Sequence, residues 1–149
     1  MPHQWPQGFS SVFFSPSEFD HPELMDGNFI RELDTLRMRC GFALEITDDA
    51  RTEAEHKALY KAELEKGGKY PTDSGHLYQD NILVRCVDIR PAEDTPMNRM
   101  RMLYEILRMH FQSKYFTHLG LIVETRHVHM DDTTRLKGKR PYFSIDVSR

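Results

Sequence analysis

The chain has 149 residues, 39% of them hydrophobic, and a formal net charge of −3. This length suits one domain with one modest core, so we predict a single domain over residues 1–149. Charged residues of both signs are interspersed, which excludes the basic patches that bind nucleic acid or membranes. No apolar run approaches the length of a membrane span.

The first residues carry neither a basic start nor a continuous apolar segment, so no secretory signal is visible. We therefore expect the protein to be cytoplasmic as it is synthesised. Residues 1–24 are rich in proline, serine and phenylalanine without a sustained period, which predicts an irregular N-terminal arm. Cys40 and Cys86 fall in a predicted helix and a predicted strand, where buried thiols are favoured over a disulfide.

Two helices are predicted in the first half of the chain. Apolar residues recur at helical spacing from about Asn28 to Cys40, and Gly41 follows as a C-terminal cap. Thr52 and Glu55 have the spacing of a capping box, which predicts a second helix that runs to Gly67-Gly68.

A third helix is predicted from Asp94-Thr95-Pro96, which supply a side-chain cap and a proline at the first helical position. Apolar residues at helical spacing predict its buried stripe, formed by Met97, Met100, Tyr104, Leu107 and Phe111.

Short apolar or alternating runs predict the strands. They are Phe42–Thr47, Ile82–Ile89, Leu119–Glu124, His127–Asp131 and Tyr142–Val147, of which the third and fourth are two strands or one interrupted strand. Helices come early and in the middle while strands cluster late. This order predicts an α+β domain with a mainly antiparallel sheet of about four strands packed against helices.

A candidate metal site stands at His76, Asp88 and His129. Two imidazoles and one carboxylate suit zinc, and three protein ligands leave a fourth position open for water or substrate. Asp88 lies near the end of an apolar, β-branched strand, where a buried charge needs a partner such as a metal ion. His127 and His129 point to the same face of their strand because side chains alternate.

The segments around these residues have a specific resemblance. Ser74-Gly75-His76, Val87-Asp88-Ile89 and Val128-His129-Met130-Asp131 follow a Ser-x-His loop, a Val-Asp-Ile strand and a hydrophobic-x-His-x-Asp strand in order. In these motifs the chain resembles the zinc-dependent D-Ala-D-Ala carboxypeptidases and phage endolysin peptidases, which share a fold with Hedgehog signalling domains. The similarity continues upstream in Phe14–Phe19, Arg31–Arg37 and Ile46–Thr52.

The resemblance implies a Hedgehog/DD-peptidase-like fold and a hydrolase that binds Zn²⁺ through His76, Asp88 and His129. The implied activity is hydrolysis of a peptidoglycan amide bond next to a D-amino acid, by a phage lysis-type endopeptidase or a D,D-carboxypeptidase. The implied partner is the peptide of the bacterial cell wall, and the implied location is the host cytoplasm or the virion. The alternative is a non-catalytic phage virion structural or binding protein that retains the peptidase fold.

Four further residues are catalytic candidates on the resemblance. Arg51 matches the position that holds the substrate carboxylate, although it is equally suited to a surface pair with Asp48, Asp49 or Glu55. The general base is Glu124 or, as second choice, Asp131, which is equally suited to orient His129 through its other ring nitrogen. His127 is the auxiliary histidine that stabilises an oxyanion or carries a proton.

The main departure from the family pattern lies between His76 and Asp88, where the connection is longer and lacks a glycine. Surface loops tolerate insertions, so the ligands are still expected to meet, and Asp80 is a remote alternative ligand. The remaining histidines have no partners at metal-ligand spacing and are interpreted as structural or surface residues: His3, His21, His56, His110 and His118.

Overall fold

Helices and a single sheet make up the structure, a computed structural model that describes residues 3–72, 74–113, 118–122, 127–132 and 144–148. Helices in these ranges are α1 (Gly27–Cys40), α2 (Glu53–Leu59), α3 (Lys61–Glu65) and α4 (Pro96–Ser113). The strands are β1 (Leu44–Asp48), β2 (Cys86–Pro91), β3 (His118–Ile122), β4 (His127–Asp131) and β5 (Ser144–Ser148). The α+β class predicted from the sequence is confirmed.

The sheet has the strand order β1-β2-β4-β3-β5. The pairs β1–β2, β2–β4 and β3–β4 are antiparallel, and β5 lies parallel to β3 at the edge. The sheet therefore has five described strands where about four were predicted, because the runs beginning at Leu119 and His127 form two separate strands.

Helix α1 forms as its pattern predicts. The Asp26 side chain accepts hydrogen bonds from the backbone N–H groups of Asn28 and Phe29 and so caps the N-terminus. Gly41 ends the helix with a φ of 77°, a left-handed conformation that glycine adopts without strain. All four predicted apolar positions are buried: Phe29, Leu33, Leu36 and Cys40.

The capping box at Thr52 and Glu55 is confirmed, but the helix it starts is shorter than predicted. Tyr60 interrupts it, and α3 continues to Glu65 without a single buried residue. Short helices depend on tertiary packing for stability, and α3 has no buried residue that would hold it in line with α2. His56, in the middle of α2, is by contrast buried and bonds through Nε2 to the Pro71 carbonyl at 2.6 Å.

Helix α4 begins at Pro96 as predicted, and Thr95 Oγ1 accepts from the Asn98 N–H at 3.1 Å. The predicted buried stripe is wrong at four of its five positions. Met97, Met100, Tyr104 and Phe111 are 73%, 68%, 53% and 73% exposed, while Leu107 is partly buried against the core.

Helix α4 instead buries the opposite face, through Met102, Glu105, Ile106 and Met109. Glu105 is a charged residue on this face, so the hydrophobic pattern of the sequence did not indicate that the face is buried. Its carboxylate is fully buried but pairs with Arg101 at 3.1 Å and Arg108 at 3.2 Å. Both arginines keep exposed side chains at the helix surface, so the charge is compensated at the border of the core.

The hydrophobic core and the polar side chains occupy opposite faces of the sheet, because side chains alternate along each strand. Val87 and Ile89 on β2 and Val128 and Met130 on β4 join the core that α1 and α4 cover. The other face carries the candidate site described below.

The N-terminal arm packs against the core through its aromatic rings. Trp5 and Phe19 lie edge to face at 5.2 Å between ring centroids, and Phe14 and Phe19 at 6.0 Å. Among the described helices, none has the length and hydropathy needed to cross a membrane.

Candidate metal centre

The polar face of the sheet aligns residues from two neighbouring strands. Asp88 on β2 lies directly opposite His129 on β4, and Cys86 lies opposite Asp131. Since alternate residues share a face, Cys86 and Asp88 project from β2 toward the side occupied by His129 and Asp131 on β4. The antiparallel register thus brings the second and third predicted ligands together.

His76 reaches this face from the loop before β2. The Arg51 N–H donates to the His76 carbonyl at 2.7 Å, and the Tyr78 N–H donates to the Arg51 carbonyl at 2.9 Å. These two hydrogen bonds hold the His76 loop next to Arg51, in the segment that follows β1. The position of His76 therefore depends on backbone pairing and not on the length of the connection that follows.

The longer connection folds back on itself as a tight hairpin. Gln79 pairs with Ile82, and Asp80 and Asn81 between them have φ values of 55° and 57°. Positive φ at both central residues is typical of a type I′ turn, which Asp and Asn tolerate. Asp80 is exposed at this turn and belongs to none of the metal-capable groups found among the described residues.

The ligand atoms of His76, Asp88 and His129 form a compact triangle. His129 Nδ1 lies 2.9 Å from Asp88 Oδ1, and His76 Nε2 lies 3.2 Å from each of these two atoms. Ligands about 2.1 Å from a tetrahedral zinc ion would be roughly 3.4 Å apart. The separations are therefore close to those of three ligands on one ion.

Hydrogen bonds orient both imidazoles. His76 Nδ1 bonds to the Asp49 carbonyl at 2.7 Å, so this nitrogen carries the proton and Nε2 is left as the ligand atom. His129 Nε2 lies 2.7 Å from Asp131 Oδ2, which leaves Nδ1 to face Asp88. A carboxylate or carbonyl behind a ligand histidine is the usual arrangement at metal sites.

The site is buried, and its charges shift the pKa values of its members. Burial lowers the pKa of His76, but the Cys86 thiolate and the Asp88 carboxylate raise it more, to about 10. Burial raises the pKa of Asp88, yet hydrogen bonds from His129 and His76 hold it well below its usual range. Without a cation the cluster therefore retains protons that a divalent ion would displace.

Cys86 belongs to this cluster, although the sequence favoured it as a core residue. Both described cysteines are buried and free, as predicted. Cys86 Sγ, however, lies 3.8 Å from His129 Nδ1 and 3.7 Å from Nε2. The signal was present in the sequence, because Cys86 precedes Asp88 by two residues on one strand and must share its face.

Two sets of side chains among the described residues could hold a metal ion at this place. One comprises His76, Cys86 and His129, and the other comprises Asp48, His76 and Asp88. Imidazole, thiolate and carboxylate together suit a borderline metal ion better than magnesium or calcium, which prefer oxygen ligands throughout.

His127 connects the centre to an open cleft. Its Nε2 lies 3.4 Å from Asp88 Oδ2, the carboxylate oxygen that is not in the ligand triangle. The cleft has a volume of about 560 Å³ and is lined by Glu45, Ile46, Thr47, Asp48, Asp88, Arg90 and His127. His127, predicted as an auxiliary histidine, thus lines this cleft beside Asp88.

Arg51 makes the pair with Asp48 that the sequence left open as an alternative. Its Nε and Nη2 lie 3.3 Å and 2.9 Å from Asp48 Oδ2, and its Nη1 lies 3.3 Å from His56 Nδ1. Arg51 does not line the cleft, whereas Arg90 does. Arg90 lies two residues after Asp88 on β2, a spacing from which the sequence could have placed it on the same face.

Two predicted site residues remain, Asp131 and Glu124. Asp131 is buried and directed at His129, on the side of the ring away from Asp88. Glu124 lies outside the described residues.

Comparison of the chain with protein-family models, curated proteins and solved structures finds no match in any of the three.

Proposed function

We propose that this protein is a zinc-dependent peptidase that hydrolyses a peptidoglycan amide bond next to a D-amino acid. The observation that carries the proposal is the convergence of His76 Nε2, Asp88 Oδ1 and His129 Nδ1 within 3.2 Å of one another. The motif resemblance supplies the substrate class, a wall peptide, and both modes of cleavage, as a phage lysis-type endopeptidase or a D,D-carboxypeptidase. The Hedgehog/DD-peptidase-like fold is part of the same proposal.

Zinc held by two imidazoles and a carboxylate polarises a carbonyl and lowers the pKa of a water molecule, which is the chemistry amide hydrolysis needs. In the proposed reaction His127 donates a hydrogen bond to the carbonyl oxygen as negative charge develops there. Its location on the cleft, beside Asp88, supports this role.

The general base takes a proton from the attacking water and delivers it to the leaving amine. We assign this role to Glu124. Asp131, the other candidate, is tied to His129 Nε2 at 2.7 Å and is buried, which supports an orienting role for it. Asp131 is also absent from the residues that line the cleft.

An arginine near the cleft anchors the carboxylate of a substrate that ends in a free D-amino acid. Arg51 would have to exchange its bond to Asp48 to do so. Arg90 lines the cleft already, and its Nε bonds to Glu45 at 2.7 Å. Both arginines are therefore candidates for this role.

A second candidate function is a non-catalytic virion structural or binding protein that retains the fold and the metal. The specific observation in its favour is Cys86, whose sulfur lies within 3.8 Å of both His129 nitrogens. A thiolate ligand would occupy the coordination position that a catalytic site leaves open.

The test combines metal content with product analysis. Purified protein is loaded with zinc, analysed by mass spectrometry for bound metal, and incubated with purified peptidoglycan. We expect about one zinc per chain and release of soluble wall peptides whose masses identify the bond cleaved. His76→Ala and His129→Ala should lose both zinc and hydrolysis, whereas Glu124→Gln should keep zinc and lose hydrolysis.

His110→Ala is the matched control, because His110 lies on α4 and is no ligand; it should retain zinc and activity. Bound zinc without release of peptides from any peptidoglycan would support the second candidate. A protein that binds no zinc would contradict the site assignment itself.

A further inference from the structure

Cys86 is the one buried thiol that lies among metal-binding side chains in the part of the chain that the structure describes. It is the first residue of β2 and is 0% exposed. Its sulfur, together with ring nitrogens of His76 and His129, forms a set of three donor atoms within 4.8 Å of one another.

The fold holds this sulfur against the loop that carries His76. A Cβ atom at Gly75 would lie 2.9 Å from Cys86 Sγ, so only a glycine lets the loop approach this closely. On the other side, the β2–β4 register places Cys86 opposite Asp131, the residue that orients His129. The thiol is therefore enclosed between the segments that supply the two histidine ligands.

The distances from His129 Nδ1 match a ligand set that includes sulfur. Metal–nitrogen and metal–sulfur bonds of about 2.05 and 2.3 Å at a tetrahedral ion separate nitrogen from sulfur by roughly 3.6 Å. The observed separation from Cys86 Sγ is 3.8 Å, and that from His76 Nε2 is 3.2 Å. The sulfur therefore lies close to ligand spacing from His129 Nδ1.

We propose that Cys86 binds the metal ion as a thiolate, together with His76 and His129. On metal binding the protons that Cys86, His76 and His129 share in the metal-free cluster pass to the solvent, and the Cys86 sulfur forms a bond to the ion; nothing is oxidised or reduced. Thiolate ligands select borderline and soft ions such as zinc, cobalt and cadmium over magnesium and calcium. The inference rests on the metal centre of the proposed function, and it does not depend on hydrolysis.

Thiolate ligation by Cys86 would also affect hydrolysis at the centre. With Asp88 also bound, a Cys86 thiolate completes a four-ligand centre, which is the composition of a structural site. A bound sulfur would compete with water for the coordination position that hydrolysis needs, so replacing Cys86 with alanine should raise peptidase activity.

Cobalt(II) is the probe, because thiolate ligation to cobalt produces a strong near-ultraviolet charge-transfer band that imidazole and carboxylate ligation do not. The protein is titrated with Co²⁺ and its absorption spectrum recorded. We expect the band in the unaltered protein, its loss in Cys86→Ser and Cys86→Ala with Co²⁺ still bound, and its retention in Cys40→Ser. Cys40 is the matched control, since it is the other buried thiol and lies on α1.

The spectrum of the unaltered protein tests the proposal even if a Cys86 variant fails to fold. One Co²⁺ per chain without the band would overturn thiolate ligation and leave the centre formed by His76, Asp88 and His129. A band that persists in folded Cys86→Ala would overturn it as well. A chain that binds no Co²⁺ would overturn the metal centre, and this inference with it.

Discussion

Two glycines determine how closely the ligand-bearing segments approach one another. A side chain at Gly75 would meet Cys86 Sγ at 2.9 Å and Asp131 Oδ2 at 3.2 Å, and one at Gly120 would meet His129 Cβ at 3.1 Å. Gly120 lies on β3 directly opposite His129. Both positions are tight because an added Cβ would meet side-chain atoms of Cys86, Asp131 or His129. Neither glycine has a positive φ, so lack of space, and not backbone conformation, favours glycine there.

Gly75→Ala should weaken metal binding. The new methyl group forces the loop away from Cys86 and Asp131, and His76 moves with the loop. We expect the affinity for Zn²⁺ to fall at least about tenfold, the size of effect seen when the surroundings of a ligand are disturbed. Competition with a chromogenic chelator measures it.

Gly27→Ala is the control for this substitution. A Cβ there meets only the Phe9 ring, at 3.0 Å, so the zinc affinity should stay unchanged. Equal affinities in the Gly75 and Gly27 variants would contradict the close packing of the His76 loop.

Asp131→Asn tests the role of the carboxylate behind His129. Asparagine keeps the shape but removes the charge that bonds to His129 Nε2 at 2.7 Å. The zinc affinity should fall roughly 10- to 100-fold, measured by the same competition. An unchanged affinity combined with lost hydrolysis would instead assign Asp131 as the general base.

At the scale of elements, α4 illustrates how packing selects one of two apolar faces. Its exposed face carries Met97 and Met100, and its buried face carries Met102 and Met109 together with Glu105. The sequence pattern favoured the face without a charge. The structure buries the other face, because Arg101 and Arg108 compensate Glu105 where α4 packs against α1 and β2.

Met102→Ala and Met100→Ala form a matched pair that tests this orientation. Met102 is fully buried, so its truncation should lower the free energy of unfolding by about 2–5 kcal/mol. Met100 is 68% exposed, so its truncation should change that free energy by less than about 0.5 kcal/mol. Urea unfolding measures both, and equal losses would contradict the observed orientation of α4.

At the scale of the whole molecule, the candidate metal centre concentrates opposing charges in the interior between the sheet and the His76 loop. Burial lowers the pKa of His129 and of His76, but the Cys86 thiolate and the carboxylates raise both well above the ordinary value of 6.5. The pKa of Cys86 moves the other way: burial raises it, but the two imidazoles lower it more, below the ordinary value of 9.0. The stability of the metal-free fold should therefore depend on pH.

The direction of this pH dependence follows from whether the folded or the unfolded state binds more protons. The stabilisation from the two imidazoles is fully present below pH 6.5 and is lost as the pH rises, for His76 through a pKa of about 10. The contribution of Cys86 runs oppositely, being present above pH 9.0 and lost as the pH falls. Two imidazoles outweigh one thiol, so the free energy of unfolding of the metal-free protein should decrease between pH 6.5 and about 10.

Urea unfolding in the presence of a chelator measures this decrease, and saturating Zn²⁺ supplies the comparison. Metal competes with protons for the same atoms, so the stabilisation by zinc should increase with pH over the same range. A metal-free protein whose stability rises over that range would contradict the charge arrangement.

Local signals predicted much of the fold. The cap at Gly41, the capping box at Thr52 and the proline at position 96 each act through atoms a few residues away, so the sequence alone located these helix ends. Periodicity likewise located β1 and β4, but the observed β2 (Cys86–Pro91) begins four residues after the predicted start at Ile82. Periodicity also failed to predict the break at Tyr60 and the buried face of α4, because both depend on packing against distant parts of the chain.

The sequence by itself determined the candidate ligands His76, Asp88 and His129, since residue type and motif order are properties of the chain. Only the tertiary structure turned Asp131 toward His129, paired Arg51 with Asp48 and brought the Cys86 sulfur beside the His129 ring, although alternation along the strands already places Cys86 and His127 on the faces of the ligands. The approach of Cys86 to His129 follows from strand register, which pairs residues far apart in the chain through backbone hydrogen bonds that carry no mark of side-chain identity. A motif can therefore name the ligands, whereas the surroundings that govern their chemistry emerge when the strands align.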